Sequence, residues 1–283
     1  MDNVSKKAYG KVNLFLSVGE MRADKKHEVE TVLHKTEFFD TVTVSKTDIG
    51  GITVTCDDPN LPCGSDNLAY KACAEYEKRM GASVSVRVNI EKRIPVAGGM
   101  GGGSSDCAAT LLALNELYGV LDFDDLLEIA ASLGSDIPFF LYEERAMIGR
   151  GTGEMMTPCA SVKAEMYGLF AVSGQKLSTG AMYASLDAKK AEMKLPRRVS
   201  SSDNIVRALE NGSVEAILAE IKNDFELCSD GFLEMKNKLE ALGAEKVFLC
   251  GSGPTVCGIF LEKEKAEKAA LGLGVKTFLA KIE

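Results

Sequence analysis

The chain has 283 residues, is 46% hydrophobic and carries a net charge of −8. That length suits two domains or one large one, and the apolar fraction is enough for a sizeable core. The acidic balance excludes a nucleic-acid partner as an expectation, because a polyanion calls for a basic footprint, and it reads otherwise as simple solubility. The cysteines are Cys56, Cys63, Cys73, Cys107, Cys159, Cys228, Cys250 and Cys257. No pair has the spacing of a zinc knuckle or redox motif, and Phe248-Leu249-Cys250 is one of several apolar settings. They read as reduced, buried thiols of a cytoplasmic protein. The start of the chain, Met1-Asp2-Asn3-Val4-Ser5-Lys6-Lys7, lacks the apolar run of a signal peptide. No stretch approaches the ~18 apolar residues of a membrane span. A soluble cytoplasmic protein with no membrane partner is therefore expected.

Residues 8–18 alternate imperfectly and read as a strand, as do the Val/Thr/Ile-rich residues 41–46 and 52–56. Asp66 is placed to cap a helix running to about Met80, with Leu68, Ala69, Ala72, Cys73 and Tyr76 on one face. Val84, Val86, Val88 and Ile90 alternate cleanly, which predicts a strand with one buried face. After a glycine-rich loop at 98–103, helices are predicted from about Ser104 to Tyr118 and over 124–133. Gly149, Gly151, Gly153 and Pro158 punctuate the next stretch, and the domain boundary is set at about residue 160. Beyond it come a strand (166–172), helices at about 203–210, 213–221 and 230–242, and two strands around a Gly-Ser-Gly-Pro turn at 246–261. Strands and helices mix without strict alternation, which favours α+β over a doubly wound sheet.

The strongest chemical signal is Ile94-Pro95-Val96-Ala97-Gly98-Gly99-Met100-Gly101-Gly102-Gly103-Ser104-Ser105-Asp106. It links a strand to a helix. Missing side chains let a phosphate approach the backbone, and the first N–H groups of the helix face the anion. Ser104 and Ser105 add hydroxyls, one of which can cap the helix. No Gly-Lys-Ser/Thr follows, and protein-kinase signatures are absent, so the loop is neither a Walker A nor a protein-kinase loop.

Three segments together resemble the GHMP kinase superfamily: Tyr9-Gly10-Lys11-Val12-Asn13-Leu14-Phe15-Leu16, the glycine loop, and Leu249-Cys250-Gly251-Ser252-Gly253-Pro254-Thr255-Val256. Further matches are Arg22-Ala23-Asp24 with His27, Asp66-Asn67-Leu68, Gly134-Ser135-Asp136-Ile137-Pro138-Phe139-Phe140 and Gly151-Thr152-Gly153-Glu154. They are similar to the branch that phosphorylates a cytidyl-bearing diphosphate of methylerythritol in non-mevalonate isoprenoid synthesis. The resemblance implies an α+β, two-domain GHMP kinase fold. A ribosomal protein S5 domain 2-like N-terminal domain would span 1–160, and a ferredoxin-like C-terminal domain 161–283. It implies ATP and Mg²⁺ as cofactors and a small-molecule substrate meeting ATP between the domains.

By the same resemblance Lys11 and Asp136 are the catalytic pair. Taken alone, Lys11 reads as a solvated strand residue and Asp136 as a loop acid or helix cap. Asn67, Lys92, Pro95, Val96, Ala97, Gly98, Gly99, Met100, Gly101, Gly102, Gly103, Ser104 and Ser105 would hold the nucleotide, although Lys92 alone reads as an exposed lysine. Asn13, Lys26, His27, Thr179, Tyr183 and Gly253 would meet the substrate. His27 alone is a plain surface histidine, and Tyr183 alone a core aromatic. Two departures stand out. Lys25-Lys26-His27 replaces Gly-Tyr-His, whose tyrosine stacks on cytosine, and Tyr-Gly-Lys replaces Pro-Ala-Lys in the first motif. A GHMP kinase for another small alcohol or sugar, or a non-catalytic binding protein of this fold, therefore stays open beside the main reading.

Overall fold

The computed structural model describes residues 2–96, 98–174 and 177–282. Of the candidate site residues, Ala97 lies outside them. The chain forms two compact units: Met1–Gly10, Phe38–Ala97 and Gly101–Glu143 in the first, and Lys11–Glu37, Gly98–Met100 and Glu144–Glu283 in the second. Two long strands, β1 (Asn3–Met21) and β2 (His27–Lys46), contribute residues to both.

In the first unit β4 (Ser85–Glu91) pairs antiparallel with the second half of β2 and parallel with β3 (Gly51–Cys56). Val84, Val86, Val88 and Ile90 are buried, as the alternation predicts. Helices α1 (Leu68–Met80), α2 (Gly102–Tyr118), α3 (Phe123–Leu133) and the short α4 (Ile137–Leu141) pack on one another. Tyr76 Oη ties α1 to α2 by donating to Asn115 Oδ1 at 3.0 Å. Asp122 and Asp125 form a reciprocal capping box at the start of α3, which satisfies two otherwise orphaned N–H groups.

In the second unit the first half of β2 pairs with β5 (Ala146–Arg150), which pairs with β6 (Met155–Pro158). β1 runs parallel to the two-residue β8 (Lys222–Asn223). A separate antiparallel sheet has the order β11 (Thr277–Ile282), β7 (Met166–Val172), β10 (Thr255–Phe260), β9 (Lys246–Leu249). Every residue of β10 is buried, because it is paired on both edges and lies within the core. Leu169, Leu249, Val256 and Phe260 form that core with Phe232, Met235 and Leu239 of α8 (Phe232–Ala241) and Ala266 and Ala269 of α9 (Lys263–Gly272). α5 (Thr179–Glu192) adds Met182 and Leu186 to it. α6 (Asp203–Asn211) and α7 (Val214–Glu220) pack on each other.

The structure corrects several expectations. Asn67, not Asp66, caps α1, its Oδ1 accepting from Ala69 N at 2.8 Å. α2 starts at Gly102, and neither Ser104 nor Ser105 caps it, since Gly101 occupies the cap position with no side chain to accept from the first N–H groups. The punctuated stretch after residue 145 is the β5–β6 hairpin, whose glycines make the turn. The first half of β2, α4, α5, α9 and β11 have no counterpart in the sequence reading. Of the eight thiols, all unpaired, Cys73, Cys107, Cys250 and Cys257 are buried and the other four half-buried.

His34 on β2 locks the segment that precedes β7. Its Nε2 accepts from Val162 N at 3.1 Å, so Nδ1 carries the proton and donates to Lys35 O at 2.7 Å. Complete burial lowers its pKa from 6.5 to about 4. The unfolded chain then takes up a proton that the native protein does not. Stability conferred by His34 is full above pH 6.5 and is lost as pH falls toward 4, by about 3 kcal/mol over that window. Urea titrations of the wild type and His34→Gln between pH 7 and 4 should show a shallower decline in the variant; parallel declines would exclude His34 as the source.

Candidate active site

Lys11 lies in the middle of β1 with only 3% of its surface exposed, so it is not a solvated strand residue. Its backbone N–H donates to Met100 O at 2.9 Å, fixing the glycine loop on β1. Its Nζ donates to Asn13 Oδ1 at 2.6 Å. Asn13 Nδ2 donates to Thr31 Oγ1 at 2.8 Å, and Thr31 Oγ1 donates to Phe15 O at 2.7 Å.

The turn at 250–254 closes on the same place. Gly99 has φ +82°, and a Cβ there would collide with Cys250 O and come within 2.9 Å of Gly253 O. Gly251, at φ +55°, would place a Cβ 3.0 Å from Gly99 O and 3.2 Å from Lys11 Nζ. Only glycine meets both the left-handed backbone and the close approach. Asn223 holds the turn by donating through Nδ2 to Leu249 O at 2.8 Å and Gly251 O at 2.7 Å. Sequence reading missed Asn223; nothing in its spacing sets it apart from a surface asparagine. Burial pushes the Cys250 thiol up to about 12 against the pull of Lys11, so it stays neutral.

At the start of α2 the first intrahelical bond is donated by Ser105 N to Gly101 O at 2.8 Å. The N–H groups of Gly102, Gly103 and Ser104 precede it and have no partner within the helix. Gly103 is exposed, and a Cβ on it would meet nothing nearer than Leu68 Cδ1 at 3.8 Å. That leaves open room in front of a helix N-terminus, which suits an anionic oxygen. Gly102 differs: a Cβ there would be 3.0 Å from Ile94 Cγ2 and 3.2 Å from Lys92 Nζ, so its glycine serves internal packing.

Lys92 is buried rather than exposed, and its Nζ donates to Asp40 Oδ2 at 2.5 Å and Asp106 Oδ2 at 2.8 Å. Burial opposes the ammonium, and Asp106 and Asp40 outweigh it, raising the pKa. Burial likewise pushes the Asp106 carboxyl up against the pull of Lys92. Asp40 Oδ1 also accepts from Arg93 N and from Ile94 N, the latter at 2.8 Å, so one carboxylate secures the strand end that leads into the loop. Neither aspartate was assigned this task from sequence, although an aspartate inside a strand after Phe38-Phe39 is a visible anomaly. Pro95 is half-buried and Val96 exposed at the loop's entry.

A third cluster joins His27 to Tyr183, their rings stacked 4.6 Å apart at 17°. His27 Nε2 lies 3.0 Å from Asp187 Oδ2 on α5, and His27 is buried rather than superficial. Tyr183 is half-buried and also meets Phe225 edge-on, so it is partly a core aromatic as well. Thr179 opens α5 and is exposed. Lys26 is exposed in the turn before β2, and Lys25 beside it takes φ +63°, a left-handed backbone that glycine adopts without cost. Asp136 is half-buried at the cap position of α4 and makes no capping bond there.

A glycine-lined helix start in one unit and a buried lysine in the other are features expected of a small-molecule kinase, and the comparisons show that class. Residues 67–144 match the GHMP kinases N terminal domain and residues 205–277 the GHMP kinases C terminal domain. A 4-diphosphocytidyl-2-C-methyl-D-erythritol kinase of Caldicellulosiruptor saccharolyticus is 33% identical over 98% of this chain and 94% of its own. That of Geobacter metallireducens is 33% identical over 95% and 94%. A crystal structure of 4-(cytidine 5'-diphospho)-2C-methyl-D-erythritol kinase superposes with a TM-score of 0.82 at 29% identity, covering 99% of both chains. The chain belongs to the GHMP kinase family and is an ATP-dependent small-molecule kinase with the family's α+β fold.

The two glycines separate by their surroundings. Gly99→Ala should destabilise the protein by about 2 kcal/mol or more, from left-handed strain and the clash with Cys250 O. Gly103→Ala should leave the melting temperature within error. Equal losses by thermal denaturation would contradict the close approach described at Gly99.

Proposed function

We propose that the chain transfers the terminal phosphoryl group of ATP to a hydroxyl of 4-diphosphocytidyl-2-C-methyl-D-erythritol, a step of non-mevalonate isoprenoid precursor synthesis. The observation that carries this reading is near-full-length similarity to kinases of that name at 33% identity, with a superposable structure. The open N-terminus of α2, with Gly101, Gly102, Gly103 and Ser104, fits the nucleotide phosphates, whereas Ser105 is buried and its N–H is taken by Gly101 O. Pro95, Val96, Gly98, Gly99 and Met100 shape the loop before it. Asn67 and Lys92 lie at the ends of elements that flank it, and Lys92 acts there through its two aspartates rather than by direct contact.

Phosphoryl transfer depends on positioning and charge stabilisation more than on covalent help. Asp136 takes the proton from the attacking hydroxyl, a role worth roughly 10²–10⁴ in rate. Lys11 stabilises the charge that develops on the transferred group. Mg²⁺ bound with ATP beside Gly103 and Ser104 at the start of α2 would neutralise charge on the phosphates. His27, Tyr183, Thr179 and Asn13 orient the acceptor, with Gly253 in the closing turn. The two family matches fall on either side of residue 160, which supports the division into 1–160 and 161–283. Among the described residues no helix is long and apolar enough to cross a membrane, and a cytoplasmic setting is proposed from the thiol-rich composition.

Lys26 leaves the acceptor's identity the point to test. ADP release is measured with ATP, Mg²⁺ and the cytidyl substrate, beside mevalonate, homoserine and simple sugars. Turnover confined to the cytidyl substrate is expected; turnover with another alcohol would move the enzyme to a different branch of the family. Asp136→Asn should bind ATP normally and lose about a hundredfold or more in kcat, and near-wild-type turnover would remove Asp136 as the base. Lys26→Tyr should tighten the cytidyl substrate by a stacking contribution of about 1–3 kcal/mol, whereas unchanged KM would place residue 26 away from the base.

A further inference from the structure

We infer that Thr31 is a positioning residue for phosphoryl transfer, acting through Asn13 to orient Lys11. The inference rests on the reading of Lys11 as the charge-stabilising group. The three side chains form one directed chain. Thr31 has a single hydroxyl proton, and it goes to Phe15 O, 2.7 Å away. Its oxygen can then only accept from Asn13, so the Asn13 amide must present its NH₂ group, at 2.8 Å. That choice fixes the other end of the amide: Oδ1 faces Lys11 Nζ at 2.6 Å. An asparagine amide has two orientations of nearly equal shape, and only its partners select between them. With the amide reversed, an NH₂ group would face an ammonium. The hydroxyl of Thr31 excludes that state.

All members of the chain are buried, so water does not substitute for a lost partner at will. Thr31 also has a packing role that must be separated from the first. It lies opposite Gly149 on β5, and a Cβ on Gly149 would be 3.1 Å from its Cγ2. The methyl thus covers the glycine while the hydroxyl points into the relay. Valine keeps the methyl and removes the hydroxyl; serine does the reverse.

The experiment compares Thr31→Val and Thr31→Ser in the full chain, with Thr31→Val also placed in an Asn13→Ala background. Thr31→Val should lower kcat about tenfold, the equivalent of one lost hydrogen bond, with KM for ATP within twofold of wild type. Thr31→Ser should recover most of that loss. In the Asn13→Ala background, Thr31→Val should cost little more, because the residue through which it acts is gone. Wild-type kcat in Thr31→Val, equal losses in Val and Ser, or a full multiplicative loss beside Asn13→Ala would each overturn the inference. If Thr31→Val does not fold, Thr31→Ala read against Thr31→Ser gives the same comparison without the second methyl. Lys11→Met separates the two layers of the argument. Unchanged kcat there removes the reading of Lys11 itself, whereas a collapse there with an unaffected Thr31→Val removes only the relay.

Discussion

At Gly99 the backbone of the glycine loop comes so near the carbonyls of Cys250 and Gly253 that no side chain fits between them. From the other side a Cβ on Gly251 would stand 3.0 Å from Gly99 O and 3.2 Å from Lys11 Nζ. Three distant stretches of sequence therefore meet through backbone rather than side chains. A backbone contact of this kind has few soft degrees of freedom, because the torsions of Gly99 and Gly251 are already set by their left-handed conformations. Met100 O then takes the N–H of Lys11, and the lysine inherits the rigidity of the strand and the turn together. Preorganisation of this sort is what an electrostatic role in catalysis requires, since a cation that must be reoriented during reaction forfeits much of its effect.

The first unit solves a related problem with charge. Strand β4 ends at Glu91, and the chain must leave it in a defined direction to reach the start of α2. Asp40 takes two backbone N–H groups of Arg93 and Ile94 and one proton of Lys92, and Asp106 takes another from within the first turns of the helix. A buried ion cluster is a doubtful source of net stability, because desolvation offsets much of the attraction. Its value here is geometric. Lys92 has no stable alternative to bridging the two carboxylates, so the strand end and the helix start hold one relation. Asp106 Oδ1 keeps no hydrogen-bond partner, and burial, with the charge of Asp40 beside it, raises the carboxyl's pKa against the pull of Lys92.

The sequence made some of this legible and not the rest, for reasons that differ by residue. The alternation from Val84 to Ile90 and the apolar face of α1 are local patterns, and they match. The glycine loop is legible because so many glycines between a strand and a helix have no cheaper explanation. Asp66 and Asn67 are both good caps, and the choice between them depends on a bond from Asn67 Nδ2 to Pro62 O that no window reveals. α5 and α9 were missed because lysine, glutamate and alanine on their exposed faces blur the apolar stripe, and their buried positions are few. Asn223 and Thr31 are illegible for another reason. Each acts through a partner far away in the chain, and pattern carries no information about such pairs.

The departures at Lys25 and Lys26 show how a fold tolerates change at its rim. Lys25 holds a left-handed conformation within a turn closed by Arg22 N to Lys26 O at 2.7 Å and Lys25 N to Arg22 O at 3.0 Å. The turn's hydrogen bonds impose the conformation, and the lysine bears a strain of roughly 1–2 kcal/mol that glycine would avoid. The turn geometry therefore survives the loss of its glycine. The aromatic ring does not survive in the same way, because a lysine side chain offers no π-face at any geometry. The rings of His27 and Tyr183 stack on each other, and Asp187 lies against the imidazole. Since Tyr183 is braced by Phe225 and His27 is buried, that pair is rigid where an exposed residue 26 is not. The rim can therefore change at Lys26 while the braced ring pair keeps its geometry.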